Sequence, residues 1–139
     1  MSASFEEKSV WIQLVGTVVA LGAYFGVAAN MYAAGVMALP AYAALFSVAV
    51  VFLVALLIAG FVVAALSSRR ETRDERDRLI AWRAEHNSSW LLATGVFGAI
   101  VGMLFSLEPV WIAHLLLMSL FASEVLGFVL QLIYYRRGM

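Results

Sequence analysis

The chain has 139 residues, of which 64% are hydrophobic and only 13% charged. A soluble domain carries about 25% charged and about 45–50% apolar residues, so an apolar excess in so short a chain points to a bilayer as its solvent. Net charge is zero and cysteine is absent, which excludes disulfides and thiolate chemistry and gives no electrostatic pointer to nucleic acid.

The N-terminal "MSASFEEKSVW" has neither a basic leader region nor a small-residue cleavage site. The first apolar run is therefore expected to be retained as a helix. A hydrocarbon core about 30 Å thick needs roughly 20 apolar helical residues. Four runs meet that length: residues 9–30, 40–66, 89–107 and 109–135, with a charged connector over 69–86. Pro40 and Pro109 each open an even-numbered span, at the first-turn position where a missing N–H costs nothing. The runs are too long for strands and lack the alternation of a barrel. The expected fold is all-α: a transmembrane four-helix bundle made of two parallel helical hairpins joined by a cytoplasmic amphipathic connector.

All nine basic residues fall on one side of this scheme. Lys8 precedes the first span; Arg69, Arg70, Arg73, Arg76, Arg78 and Arg83 lie in the connector; Arg136 and Arg137 follow the last span. The positive-inside rule places both termini and the connector in the cytoplasm, in a multi-pass protein of the inner, cytoplasmic membrane. Trp11, Trp82 and Trp90 are then expected at the inner interface and Trp111 at the outer one. So one-sided a distribution also argues against a dual-topology transporter, which needs a balanced charge.

An internal repeat is expected from "EEKSVWIQLVG" and "EHNSSWLLATG". Glu6, Ser9, Trp11 and Gly16 match Glu85, Ser88, Trp90 and Gly95 at one offset. Each half then reaches a proline-led span closed by a double arginine, and Gly60 aligns with Gly127 from the arginine end. Two parallel repeats would be related by an axis along the membrane normal. Common hairpin physics alone also produces interfacial Trp, first-turn Pro and flanking Arg.

"FEEKSVWIQLVG" and "RDERDRLIAWRAEHNSSW", above all "DERDRLI" from Asp74 to Ile80, resemble a family of small bacterial and archaeal membrane proteins. That family is described only as a domain of unknown function. The resemblance covers most of the chain and implies the four-helix membrane fold, with no activity to carry over.

In the connector, Thr72 and Glu75 form a candidate capping box, and "NSS" after His86 offers a second cap ahead of the third span. Asp74 and Arg78 are spaced i, i+4 with the acid first, the favourable order. Leu79, Trp82 and His86 share one helical face, with arginines opposite. Asp74, Arg76, Arg78, Trp82 and Arg83 thus form a candidate surface for the inner leaflet or a cytoplasmic partner. The alternative to an in-plane helix is an extension of span two or three into the cytoplasm, and the alternative to a docking surface is a topology anchor.

Glu124 stands two residues past the middle of the last span, roughly 3 Å from the midplane at about 1.5 Å per residue. A charged carboxylate there costs at least about 2.5 kcal/mol. It is expected to be mostly neutral and hydrogen-bonded inside the bundle, on a stripe with Ala113, Leu117, Gly127, Gln131 and Tyr135. Thr17, Ser47 and Thr94 are its candidate partners. His114 lies nearer the outside, roughly 15 Å from Glu124 along the axis. His86 belongs to the opposite side, which excludes an intramolecular bis-His haem. Met31, Met37, Met103 and Met118 accompany His114 in the outer half; soft ligands suit Cu(I), but no tight ligand spacing is present, and no metal or cofactor is expected. Gly22 and Gly26, with the stripe Gly16, Ala20, Ala23, Val27 and Asn30, and Gly98 and Gly102 with Gly95, are expected to pack within the chain, a dimer face being the alternative.

No zinc-protease, nucleophile-elbow or phosphate-loop pattern occurs. The expected function is that of a non-enzymatic membrane accessory or interaction protein, working as a homodimer or with another membrane or cytoplasmic protein. The alternative is a small proton- or cation-coupled transporter or channel subunit using Glu124, with Gln131 and His114 as further candidate polar residues.

Overall fold

In a computed structural model, which describes residues 4–67 and 74–138, the chain forms four α-helices: α1 (Phe5–Ala33), α2 (Leu39–Ser67), α3 (Glu75–Leu104) and α4 (Pro109–Arg137). All four are long and apolar enough to cross a membrane. Local chemistry sets their ends. The Ser4 hydroxyl accepts from the Glu7 amide at 3.2 Å, with Glu6 and Glu7 in the positive first turn of α1. Pro109 opens α4, and Gly138 closes it with φ +70°, a left-handed position suited to glycine.

Of the two forms expected of the connector, the extension of a neighbouring span is the one present. Residues from Glu75 onward belong to one uninterrupted α3. Nothing in "ERDRLIAWRAEH" breaks a helix, and "NSS" does not cap one. The Ser88 and Ser89 hydroxyls donate back to the carbonyls of Glu85 and His86, at 3.1 and 2.9 Å, so both serines sit within the helix instead of starting it. The N-cap is Asp74, whose carboxylate accepts from the Glu75 amide at 2.7 Å, while Asp77 accepts from the Asp74 amide at 3.1 Å. Thr72, like Arg69, Arg70 and Arg73, lies outside the described residues.

α1 pairs with α2 and α3 with α4, and the two hairpins meet mainly where α1 packs on α4. The order across the molecule is α2, α1, α4, α3. Neighbours run antiparallel: Trp11, early in α1, lies 6.0 Å beneath the Arg136 guanidinium at the end of α4, whereas Tyr32, late in α1, meets Trp111 at the start of α4 with ring centroids 5.0 Å apart. Asn87 donates to the Tyr134 hydroxyl at 2.8 Å, which brings the first half of α3 beside the end of α4. Every described basic residue therefore falls toward one end of the molecule.

The seams are built from small residues. On α1, buried Gly16, Ala20, Tyr24 and Ala28 follow a strict four-residue step; Ala23, Val27 and Asn30, expected on the same stripe, are exposed. Gly22 and Gly26 have nothing near the space a Cβ would take, so the expected intramolecular packing of that pair does not occur. Gly98 and Gly102 do pack, against Leu115 and Leu107 at 3.3 and 3.1 Å from a built Cβ. On α4 the buried small residues are Ser119, Ser123 and Gly127.

Candidate functional site

α4 carries a different polar site on each of two faces. On the α3 side, Ser123 points into the seam and its hydroxyl donates to the Ser88 carbonyl at 3.0 Å. Gly127 lets α3 come close: a Cβ there would stand 3.2 Å from the Ser88 hydroxyl. Beside this seam runs a groove of about 330 Å³, lined on α3 by residues from Ala81 to Leu92 and on α4 by residues from Ser123 to Gln131. Glu124 and Gln131 both line it, and Glu85 lines it as well. The groove starts at the basic end of the molecule and ends near the middle of α4.

Glu124 is not where the sequence stripe puts it. The buried line of α4 passes through Ser119, Ser123 and Gly127, one residue around the helix, and Glu124 is exposed at its rim. None of the three hydroxyls expected to receive it does so. Ser47 donates to the Ala43 carbonyl and Thr94 to the Trp90 carbonyl, each at 2.9 Å, and Thr17 is buried on α1. Among the described residues Glu124 has no hydrogen-bond partner. Ala113, expected on the bundle side, is exposed too. The step of four between Ser119, Ser123 and Gly127 is the signal for the true seam.

On the other side of α4, His114 joins the two hairpins. A carbonyl only accepts, so Nδ1 donates to the Val110 carbonyl, 2.7 Å away. In the neutral ring this leaves Nε2 to accept from the Tyr24 hydroxyl at 3.0 Å. The imidazole stacks on Tyr24, with centroids 5.8 Å apart and planes at 23°, and meets Tyr42 edge-on at 4.9 Å. Tyr42 donates to the Val36 carbonyl at 2.7 Å. Tyr24 and Tyr42 are 4% and 3% exposed and centre a core cluster with Ala28 and Val110. The sequence marks His114 but neither tyrosine, because a Tyr inside an apolar run carries no spacing signal.

A cleft of about 470 Å³ opens beside this cluster, lined by α1, the start of α2 and α4. Met118 borders it and Met31 packs on the core, while Met37 and Met103 are exposed. A further void between α1, α2 and α4 measures only about 20 Å³, room for about one water.

In the first half of α3, Asp74 serves as N-cap, and Arg76, Arg78, Trp82 and Arg83 are exposed. Trp82 stacks on His86 at 5.7 Å with planes 16° apart, which confirms their shared face. Trp90 lies two residues beyond Ser88, and so at the depth of Ser123, not at the end of a span as expected. Comparison of the chain with family models, curated proteins and solved structures gives no match, so no residue role is carried over from a relative.

Proposed function

We propose that the protein is a non-enzymatic integral membrane interaction protein that pairs with a second copy of itself through the α3–α4 groove. The observation that carries this reading is Glu124, one residue past the middle of α4 and exposed at the rim of a groove with Ser89 and Gln131. Facing lipid, an ionised carboxylate at that depth costs at least about 2.5 kcal/mol. A second copy covers it with groups of the same patch, as a two-fold interface requires. Gln131 and Ser89 of the facing copy offer it hydrogen-bond partners. The bilayer setting rests on helix length and apolarity. The orientation, with both termini and the α2–α3 connection in the cytoplasm of an inner membrane, rests on the one-sided basic residues. A reporter that fluoresces only in the cytoplasm should be bright after Met139 and dark near Gly35; the reverse would overturn it. We also read the hairpins as an ancient duplication, supported by glycines at both hairpin seams: Gly16 and Gly60 in the first, Gly95 and Gly127 in the second.

Energy transfer between labelled copies in proteoliposomes tests the pairing. Glu124→Gln keeps the side chain's size and its capacity to hydrogen-bond and should preserve it; Glu124→Leu should weaken it several-fold. Equal pairing in wild type and Glu124→Leu would refute the reading. A second reading, a proton- or cation-coupled carrier subunit, is favoured by the unpartnered Glu124 in a groove that Glu85 also lines. It separates at Glu124→Gln, which would then abolish coupled flux while leaving pairing intact.

A further inference from the structure

We infer that the cleft beside His114 binds a neutral, planar, carbonyl-bearing ring carried on a lipid tail, the chemistry of an isoprenoid quinone. Its volume of about 470 Å³ lies within the roughly 300–1,000 Å³ of small-molecule sites, which are apolar with few polar groups. Phe25, Tyr32, Tyr42, Trp111 and His114 all line it. Aromatic walls favour a ring over an acyl chain, through offset or edge contacts at centroid separations of about 4.5–7 Å.

Charge argues for a neutral ligand. No Asp, Glu, Lys or Arg is among the lining residues. A cation would gain only the ring faces, about 0.5–2 kcal/mol, against the larger cost of leaving water without an anion to pair with. The floor is also fixed in advance. His114 is held at both nitrogens, by Val110 and Tyr24, and the Tyr42 hydroxyl by Val36, so none of these groups must reorganise. Two donors remain at the mouth, the Tyr32 hydroxyl and the Trp111 indole N–H; neither has a hydrogen bond to another described residue. Their rings touch at 5.0 Å, which puts both side chains on the same part of the cleft wall. The cleft lies at the end of the molecule away from the basic residues, and the exposed Ala29, Trp111 and Leu115 along its lining leave it open to the surroundings of the bundle.

The test uses Trp111 as reporter, in full-length protein with Trp11, Trp82 and Trp90 changed to Phe, in lipid nanodiscs. The probe is 2-methyl-1,4-naphthoquinone, which quenches indole fluorescence on contact. Saturable quenching of Trp111 is expected. Ala29 lines the cleft from its exposed side, so Ala29→Phe fills it without entering the core and should raise the half-saturating concentration at least tenfold. Tyr32→Phe deletes only a hydroxyl and should raise it about threefold, which keeps the inference testable if Ala29→Phe misfolds. Quenching that is linear and equal in all three proteins would mean partition into lipid only and would overturn the site. Displacement of the quinone by tetraphenylphosphonium at lower concentration than by unlabelled quinone would overturn its neutral character.

Discussion

The two outer helices, α2 and α3, bury themselves in opposite ways. α2 is the most apolar helix and the least buried; among its described residues only Tyr42 and Ala64 are buried. α3 is the least apolar, yet with α4 it makes the closest seam, through Ser88, Gly95, Ser119, Ser123 and Gly127. In water the order would be reversed, because burial there follows apolarity. In lipid the surroundings are as apolar as a leucine, so helices associate where small residues allow close approach and where polar groups find partners. The contrast between α2 and the α3–α4 seam supports the proposal of a bilayer as solvent.

The strongest way to break this comparison is a glycine substitution. A Cβ on Gly95 runs into the Ser119 side chain, so Gly95→Leu should destabilise the bundle by about 3 kcal/mol, measured by steric trapping in bicelles. Gly26 has open space instead, and Gly26→Leu should stay within about 0.5 kcal/mol of wild type. Equal losses would mean that close approach does not set the seams.

Next in size is the polar link between the hairpins. Tyr24→Phe removes the donor to His114 and should cost about 1 kcal/mol by the same measurement, near the upper part of the range for hydrogen bonds within membranes. Ser123→Ala removes one interhelical hydrogen bond to a carbonyl and should cost about 0.6 kcal/mol. A loss above that of Gly95→Leu in either variant would mean that polar pairing, not close approach, holds the helices together. The smallest effect is expected on α2: Val51 is 69% exposed, and Val51→Ala should change stability by less than about 0.5 kcal/mol.

Much of the fold is legible in the sequence because length, apolarity and helix-end chemistry are local. The four helices, the two first-turn prolines and the clustering of basic residues need only the chain itself. The connector is harder because "NSS" resembles a cap; whether a serine caps a helix or bonds back within one depends on residues on both sides. Rotation about the helix axis is the hardest quantity. On α4, placing Glu124 instead of Ser123 on the seam is an error of one residue, or about 100°, and it turns an acid at the rim into an inward one. Hydropathy cannot correct it, since exposed and buried positions are equally apolar here. Tyr24 and Tyr42 are invisible as partners of His114 because they come from other helices, and only the packing of α1 and α2 on α4 brings them together.

The claim that the α3–α4 groove is the face between copies is open to a direct measurement, because the chain has no cysteine of its own. Single cysteines are placed at Gln131 and Ser89 in the groove, at Val19 beside the open Gly22–Gly26 face, and at Val51 on the exposed side of α2, and native membranes are oxidised. Disulfide-linked dimers should form with Gln131→Cys and Ser89→Cys, and not with Val19→Cys or Val51→Cys. Cross-linking at Val19→Cys with none at Gln131→Cys would move the interface to α1 and contradict the role given to Glu124.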